Sequence, residues 1–354
     1  MPLLVAAPDA FPPASAGEVA EALGRGAERA GWRARRVPMG DGGPGLLDVV
    51  GGRRRTAVVS GPLGPPIDAP FALLGSGSRL TAVIEGARVS GLDLAGGPSR
   101  NDPLGATTRG TGELVLAAVA AGARRIVVGC GGSAGTDGGL GAVRAIGNRS
   151  RLRGAALLVA CDVTTRFLDA ARAFAAAKGA SRAEVALLSG RLARLAQAYG
   201  EEFGVDVTDV AGAGAGGGLA GGLAALGAQL RPGAELVAEL TGLSSQIDRG
   251  SVVVTGEPFL DDRSFSEGVV GAVAELAREA EARVLCMARG VADSLFLPPH
   301  SRLVRVESPG ETSDAPPPGG REPREPVEGQ GGPARLLDSL EDALVGALPA
   351  GEPS

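Results

Sequence analysis

The sequence predicts an α/β fold built on largely parallel sheets, and two observations predict it. Apolar runs of strand length alternate with runs of helical period along most of the 354 residues. Polar punctuation clusters after those strand-like runs: Asp9, Asp41, Asp137, Asp162 and Glu257 all follow one. In open α/β sheets the ligand lies beyond the C-terminal strand ends, so this punctuation marks candidate functional residues.

The elements follow in order. "LLVAAPD" (3–9) reads as a buried strand. Ser15 and Glu18 form a capping box that opens the helix "SAGEVAEALGRGAERAG". "WRARRVPM" is a second strand, closed by the turn "GDGGPG". "TGELVLAAVAAGA" is a helix feeding the strand "RRIVVGCGG", and "ALLVACDV" is another strand. "SVVVTGE" and "ARVLCMA" are apolar strands with the helix "VVGAVAELAREAEA" between them. The segment 308–334 is rich in Pro, Gly and charge and reads as a loop or linker, after which "ARLLDSLEDALVGAL" closes the chain as an amphipathic helix. No internal repeat is visible.

Composition narrows the function. A net charge of −5 gives no footing for a nucleic-acid or anionic-membrane partner. Lys178 is the sole lysine, so 34 of the 35 basic residues are arginine, a bias that matches a GC-rich genome. Cys130, Cys161 and Cys286 lie far apart with no C-x-x-C or Cys/His spacing, as expected of buried, reduced thiols in a cytoplasmic protein. His300 is the sole histidine, which argues against a Ser-His-Asp triad, a Cys-His dyad or a histidine metal site. The N-terminus lacks the basic region of a signal peptide. The uncharged stretch from Val210 to Leu230 has the length of a membrane span, but its glycines weaken both helix propensity and hydrophobicity. Any catalysis falls to carboxylates, arginines and backbone N–H groups.

"VVGCGGSAGTDGGLGA" (127–142) is a strand that breaks into glycines and delivers Asp137. Its glycines can expose N–H groups to an anion, with Ser133, Thr136 and Asp137 as the polar side chains. It matches neither G-x-G-x-x-G nor the Lys-Ser/Thr ending of a P-loop, so alone it reads equally as a turn. A dinucleotide-dependent oxidoreductase would need a glycine fingerprint after the first strand, and "APDAFPPAS" supplies none.

Several motifs, in order, resemble the bacterial glycerate kinase family, the type that forms 2-phosphoglycerate. They are "APDAF", "GDGGPG" (40–45), "IEGARVSGL" (84–92), "NDPLGATTRGTGEL" (101–114), "GCGGSAGTDGGLG" (129–141), "ACDVT" (160–164), "KGAS" (178–181), "GAGAGGGLAGGL" (212–223) and "TGEPFLDDRS" (255–264). The chain is identified as a divergent member. The resemblance implies two unlike α/β domains, one inserted into the other, with the active site in the cleft between them. On this reading a Rossmann-like domain comprises 1–56 plus 245–354 and an inserted domain 57–244. The implied reaction transfers the γ-phosphoryl group of ATP, with Mg²⁺, to a hydroxyl of D-glycerate. It implies catalytic roles for Asp137, Asp41 and Asp162, with Asp41 and Asp162 as magnesium ligands. Substrate- or phosphate-binding roles fall to Asp9, Gly42, Gly43, Glu85, Thr108, Arg109, Gly110, Gly131, Gly132, Ser133, Gly214, Glu257 and Arg263. The partners are then small molecules, glycerate and ATP, and the oligomeric state stays open.

The departures fall on the implied site. The lysine of the family's turn after Asp9 is absent from "AFPPAS", Pro44 replaces a glutamate, and Thr165 replaces an asparagine. "RFLDAARAFAAAKGAS" reads as helix in place of a longer glycine-rich run. Pro258 replaces a glycine, Arg263 a glutamine, and Glu267–Gly268 a Gly-Lys pair. Pro12, Pro13, Pro44 and Pro258 stiffen turns that would close on a ligand. The expectation is therefore a glycerate kinase, its activity weakened, with a non-catalytic ligand- or partner-binding relative as the alternative.

Overall fold

The computed structural model describes residues 1–306 and 333–349. In chain order the strands are β1 (Leu3–Ala6), β2 (Arg33–Arg36), β3 (Arg53–Ser60), β4 (Pro66–Leu74), β5 (Thr81–Glu85), β6 (Arg125–Gly129) and β7 (Ala156–Cys161). There follow β8 (Gln229–Pro232), β9 (Val252–Gly256), β10 (Phe259–Leu260), β11 (Arg283–Ala288), β12 (Gly290–Val291) and β13 (Ser301–Arg305). The chain divides into two compact units, Met1–Gly40 with Val237–Ser354, and Asp41–Leu236.

The first unit is built on a parallel sheet in the order β13-β11-β9-β1-β2. From β1 the chain moves outward to β2, and from β9 it moves the other way to β11 and β13. The strand order therefore reverses between β1 and β9, the position where α/β sheets bind ligands. The capping box is present at the helix Ala16–Arg29: Ser15 Oγ accepts from the Glu18 amide, and Glu18 accepts from the Ser15 amide. Val19 and Leu23 of that helix pack on Leu4, Ala6, Val252 and Val254. The helix Pro333–Ala347 completes this core with Leu336, Leu340 and Leu344. Its Glu341 accepts from Arg25 and Arg29. Of the expected loop 308–334, residues 308–332 lie outside the described residues, and Pro333 already opens the helix.

The second unit carries the order β3-β4-β5-β6-β7-β8. Strands β5 to β8 are parallel, while β3 and β4 form an antiparallel ribbon on β5. That ribbon is absent from the sequence reading, because β3 (RRRTAVVS) is an exposed edge strand with little apolar alternation. The helix Arg182–Phe203 is absent from it too, although Ser181 and Glu184 form a second capping box. Ile84, Ile126, Val128, Leu157 and Val159 make the core with Leu114, Val115 and Ala118 of the helix Arg109–Ala120.

The glycine-rich run that has the length of a span breaks into a helical turn, Ala215–Gly217, the seven-residue helix Leu219–Ala225 and the start of β8. There Gly222 meets Gly139 backbone to backbone: a Cβ on either would lie within 2.9 Å of the other's Cα. Among the described residues no helix is long and apolar enough to cross a membrane. All three cysteines are buried and unpaired.

The late helix therefore belongs to the first unit's core. Leu340 is fully buried, so Leu340→Ala should lower the unfolding free energy by about 2–5 kcal/mol. Urea denaturation followed by circular dichroism measures this.

Candidate active site

The site in the second unit begins with a turn that the sequence could not hold by itself. Residues 41–47 contain three glycines and Pro44, a composition with little intrinsic structure. Glu85, the last residue of β5, is buried and accepts from the Gly45 and Leu47 amides, both at 3.0 Å. Arg88 Nε stands 3.3 Å from Oε2, the oxygen that also accepts from Leu47, and balances the charge. Asp41 Oδ1 accepts from the Gly43 amide at 3.0 Å and closes the turn.

This turn lies on the glycines that follow β6. A Cβ on Gly131 would sit 2.6 Å from Gly43 Cα and 3.1 Å from Asp162 Oδ2. A Cβ on Gly42 would fall 2.7 Å from the Ala160 methyl, and one on Gly132 would fall 3.0 Å from Pro44. Asp41, Gly42, Gly43, Glu85, Gly131, Gly132 and Asp162 thus gather beyond the C-terminal ends of β5, β6 and β7. The backbones touch because no side chain intervenes, and two carboxylates flank the contact.

Lys178 joins the same loop and is a residue that the sequence reading left without a role. It ends the short helical turn Ala176–Lys178 and is 8% exposed. Its Nζ donates to Ser133 Oγ at 2.9 Å and to the Gly135 carbonyl at 2.6 Å. Ser133 Oγ in turn donates to the same carbonyl at 3.1 Å. Burial pulls the lysine down to about 8, while the charges of Asp162 and Asp137 act in the opposite sense. The signal that could have found it was compositional: one lysine kept among arginines.

Asp137 makes a knot of its own. Its carboxylate accepts from the amides of Thr108 (2.9 Å), Gly139 (3.0 Å) and Gly141 (3.1 Å), and from the Thr108 hydroxyl at 3.0 Å. Thr108, fully buried, also accepts from the Ala142 amide. This joins the starts of the helices Arg109–Ala120 and Leu140–Ile146. Arg109 points away into an i,i+4 ion pair with Glu113 at 2.8 Å. Gly110 lets the helix approach β3, since a Cβ there would lie 1.9 Å from the Ser60 carbonyl. Gly214 is a close-approach position as well, its amide donating to Thr165 O.

The remaining candidates belong to the first unit. Asp9 and Glu257 follow the adjacent strands β1 and β9 at the reversal point, and the Asp9 amide donates to Gly256 O at 3.0 Å. Asp9 Oδ1 accepts from the next amide, and Glu257 is buried. Arg263 sits in the short helix Asp262–Ser266 with its guanidinium 3.4 Å from Asp261. Cys130 and Cys161 lie beneath the glycine loop; burial raises both thiols, Cys161 to about 12, which keeps them protonated and unreactive. Among the described residues no group of three or more His, Cys, Asp or Glu is poised to hold a metal.

Comparison with known proteins agrees with this architecture. The model of the glycerate kinase family matches residues 4–150 and 148–296. The chain is 36% identical over 331 residues to the glycerate 2-kinase of Escherichia coli K12, covering 82% of this chain and 86% of that one. It is 36% identical to the glycerate kinase of Bacillus subtilis 168, covering 82% and 85%. A crystal structure from Salmonella typhimurium LT2, assigned as glycerate kinase 2, superposes with a TM-score of 0.74 at 28% identity and covers 98% of this chain and 97% of that one. With the strand-end carboxylates and the glycine cradle in place, the chain belongs to the glycerate kinase family.

Proposed function

We propose that the protein transfers the γ-phosphoryl group of ATP to the 2-hydroxyl of D-glycerate, giving 2-phosphoglycerate and ADP. The observation that carries this reading is the meeting of Asp41 and Asp162 at the Gly43–Gly131 contact beyond the ends of parallel strands, with the Lys178 ammonium bonded to Ser133 and Gly135 of the same loop. Phosphoryl transfer needs positioning and charge stabilisation more than covalent help, and these groups supply both. Glycerate and ATP are both anionic, so an ammonium beneath a glycine loop suits them.

The attacking hydroxyl forms its bond to phosphorus as the bond to the bridging oxygen of ADP breaks, and a carboxylate takes the proton. Asp162, beside Gly131, is our candidate for that base. Asp41 and Asp162 would hold the magnesium that accompanies ATP; such an ion needs one or two protein carboxylates, the phosphates and water completing its shell. When bound there, the ion would neutralise charge on the phosphates. Asp137 has both oxygens committed to internal donors, so its part is to fix the loop. Glu85 plays the same part for the turn 41–47.

The direct test is ADP formation with Mg-ATP in the presence and absence of D-glycerate, the product identified by phosphorus NMR. Glycerate-dependent turnover giving the 2-phosphate is the expected result; ADP release indifferent to glycerate overturns the reading. Two substitutions separate the carboxylates by role. Asp162→Asn should lower kcat by about 100-fold or more with the melting temperature nearly unchanged. Glu85→Gln leaves one of two buried amides without an acceptor and should cost about 1–3 kcal/mol of stability, read from a urea titration.

A further inference from the structure

Lys178 carries an inference that rests on the proposed phosphoryl transfer and deepens it. This chain has arginine at 34 of its 35 basic positions, and the one lysine is among its most buried charged residues. Its ammonium donates to two neutral oxygens, Ser133 Oγ and the Gly135 carbonyl, and both belong to the glycine loop. Asn101 repeats the tie from the backbone side: its amide group donates to Ala134 O at 3.0 Å and to Lys178 O at 2.9 Å. Residues 133–135 are therefore fastened twice to the turn that carries Lys178.

A strut alone would not require a charge. Burying an ammonium costs several kcal/mol unless the surroundings compensate, and a neutral side chain could fill the volume without that cost. Arginine, which the composition favours everywhere else, is also excluded, because a planar guanidinium cannot occupy the space of one Nζ between two oxygens. What remains is a compact positive charge held under the loop with Asp162 and Asp137 as the carboxylates that face it.

We propose that Lys178 is a positioning residue for the transfer, fixing Ser133–Gly135 and giving that loop the positive charge with which it takes an anionic group of the substrates. A lysine acting in this way trades stability for charge placement. A purely structural lysine would not.

The test compares wild type with Lys178→Met, Lys178→Arg and Lys178→Ala. Lys178→Met should keep or raise the melting temperature, since a buried charge bonded only to neutral oxygens is exchanged for an apolar chain of similar length. It should lower kcat/KM for glycerate about 100-fold or more, and Lys178→Arg should not rescue it. Ethylammonium chloride should restore Lys178→Ala activity at least about tenfold over sodium chloride at equal ionic strength, a response that a structural role would not give. Turnover by Lys178→Met within about threefold of wild type overturns the proposal, as does a failure of ethylammonium if Lys178→Met does not fold. Calorimetric titration with ATP keeps the inference distinct from the function reading. If the wild type lacks glycerate-dependent turnover but binds ATP at least about tenfold more tightly than Lys178→Met, the function reading falls and the role of Lys178 stands. Equal ATP affinity in that case removes the role as well.

Discussion

The second unit's site depends on the Glu85 carboxylate. A turn made of three glycines and a proline has no conformation of its own, and two amide hydrogen bonds to a buried anion give it one. Because Glu85 ends β5 and Gly129 ends the neighbouring β6 in register, the held turn is delivered onto the glycines after β6. Asp41 reaches its place through that delivery, and Asp162, directly after β7, meets the delivered turn from the neighbouring strand end. The residue carries no reacting atom in our reading, yet the positions of those that do follow from it.

Much of this was legible in the sequence, for identifiable reasons. Parallel strands buried on both faces read as uninterrupted apolar runs, so β1, β6, β7, β9 and β11 could be seen directly. The Ser15–Glu18 box marked a helix start to within one residue. The antiparallel ribbon was not legible, since an edge strand opening on three arginines and facing solvent lacks the period that reveals a half-buried strand. The helix Arg182–Phe203 is hard to see in the sequence because its buried positions, Leu188, Leu192, Ala196 and Tyr199, are few along its length, although its cap is explicit.

The site was legible in its parts and not in its roles. Strand-end acids stand out by position, but a sequence cannot say whether a carboxylate faces a substrate or its own backbone. Asp137 and Asp162 look alike in the sequence, each an aspartate beyond an apolar strand with glycine or cysteine between or beside them. In the fold Asp137 binds three amides and a hydroxyl, while Asp162 lies against the Gly43–Gly131 contact. Arg109 had the right motif around it and spends its charge on Glu113. Lys178 had no strand end to advertise it, because what matters is which loop its side chain reaches.

The Gly139–Gly222 contact constrains how this chain can drift. Alanine and glycine codons interconvert by a single base, so this exchange is among the easiest a chain so rich in both residues can meet. At this pair it is blocked in one direction, since a methyl group on either residue meets the other's backbone and no partner side chain exists that could shrink to receive it. A packing between two side chains can be rebuilt by compensating changes, one growing as the other recedes. A packing between two bare backbones offers no such exchange, so the loop that delivers Asp137 is held to glycine by its neighbour as much as by its own conformation.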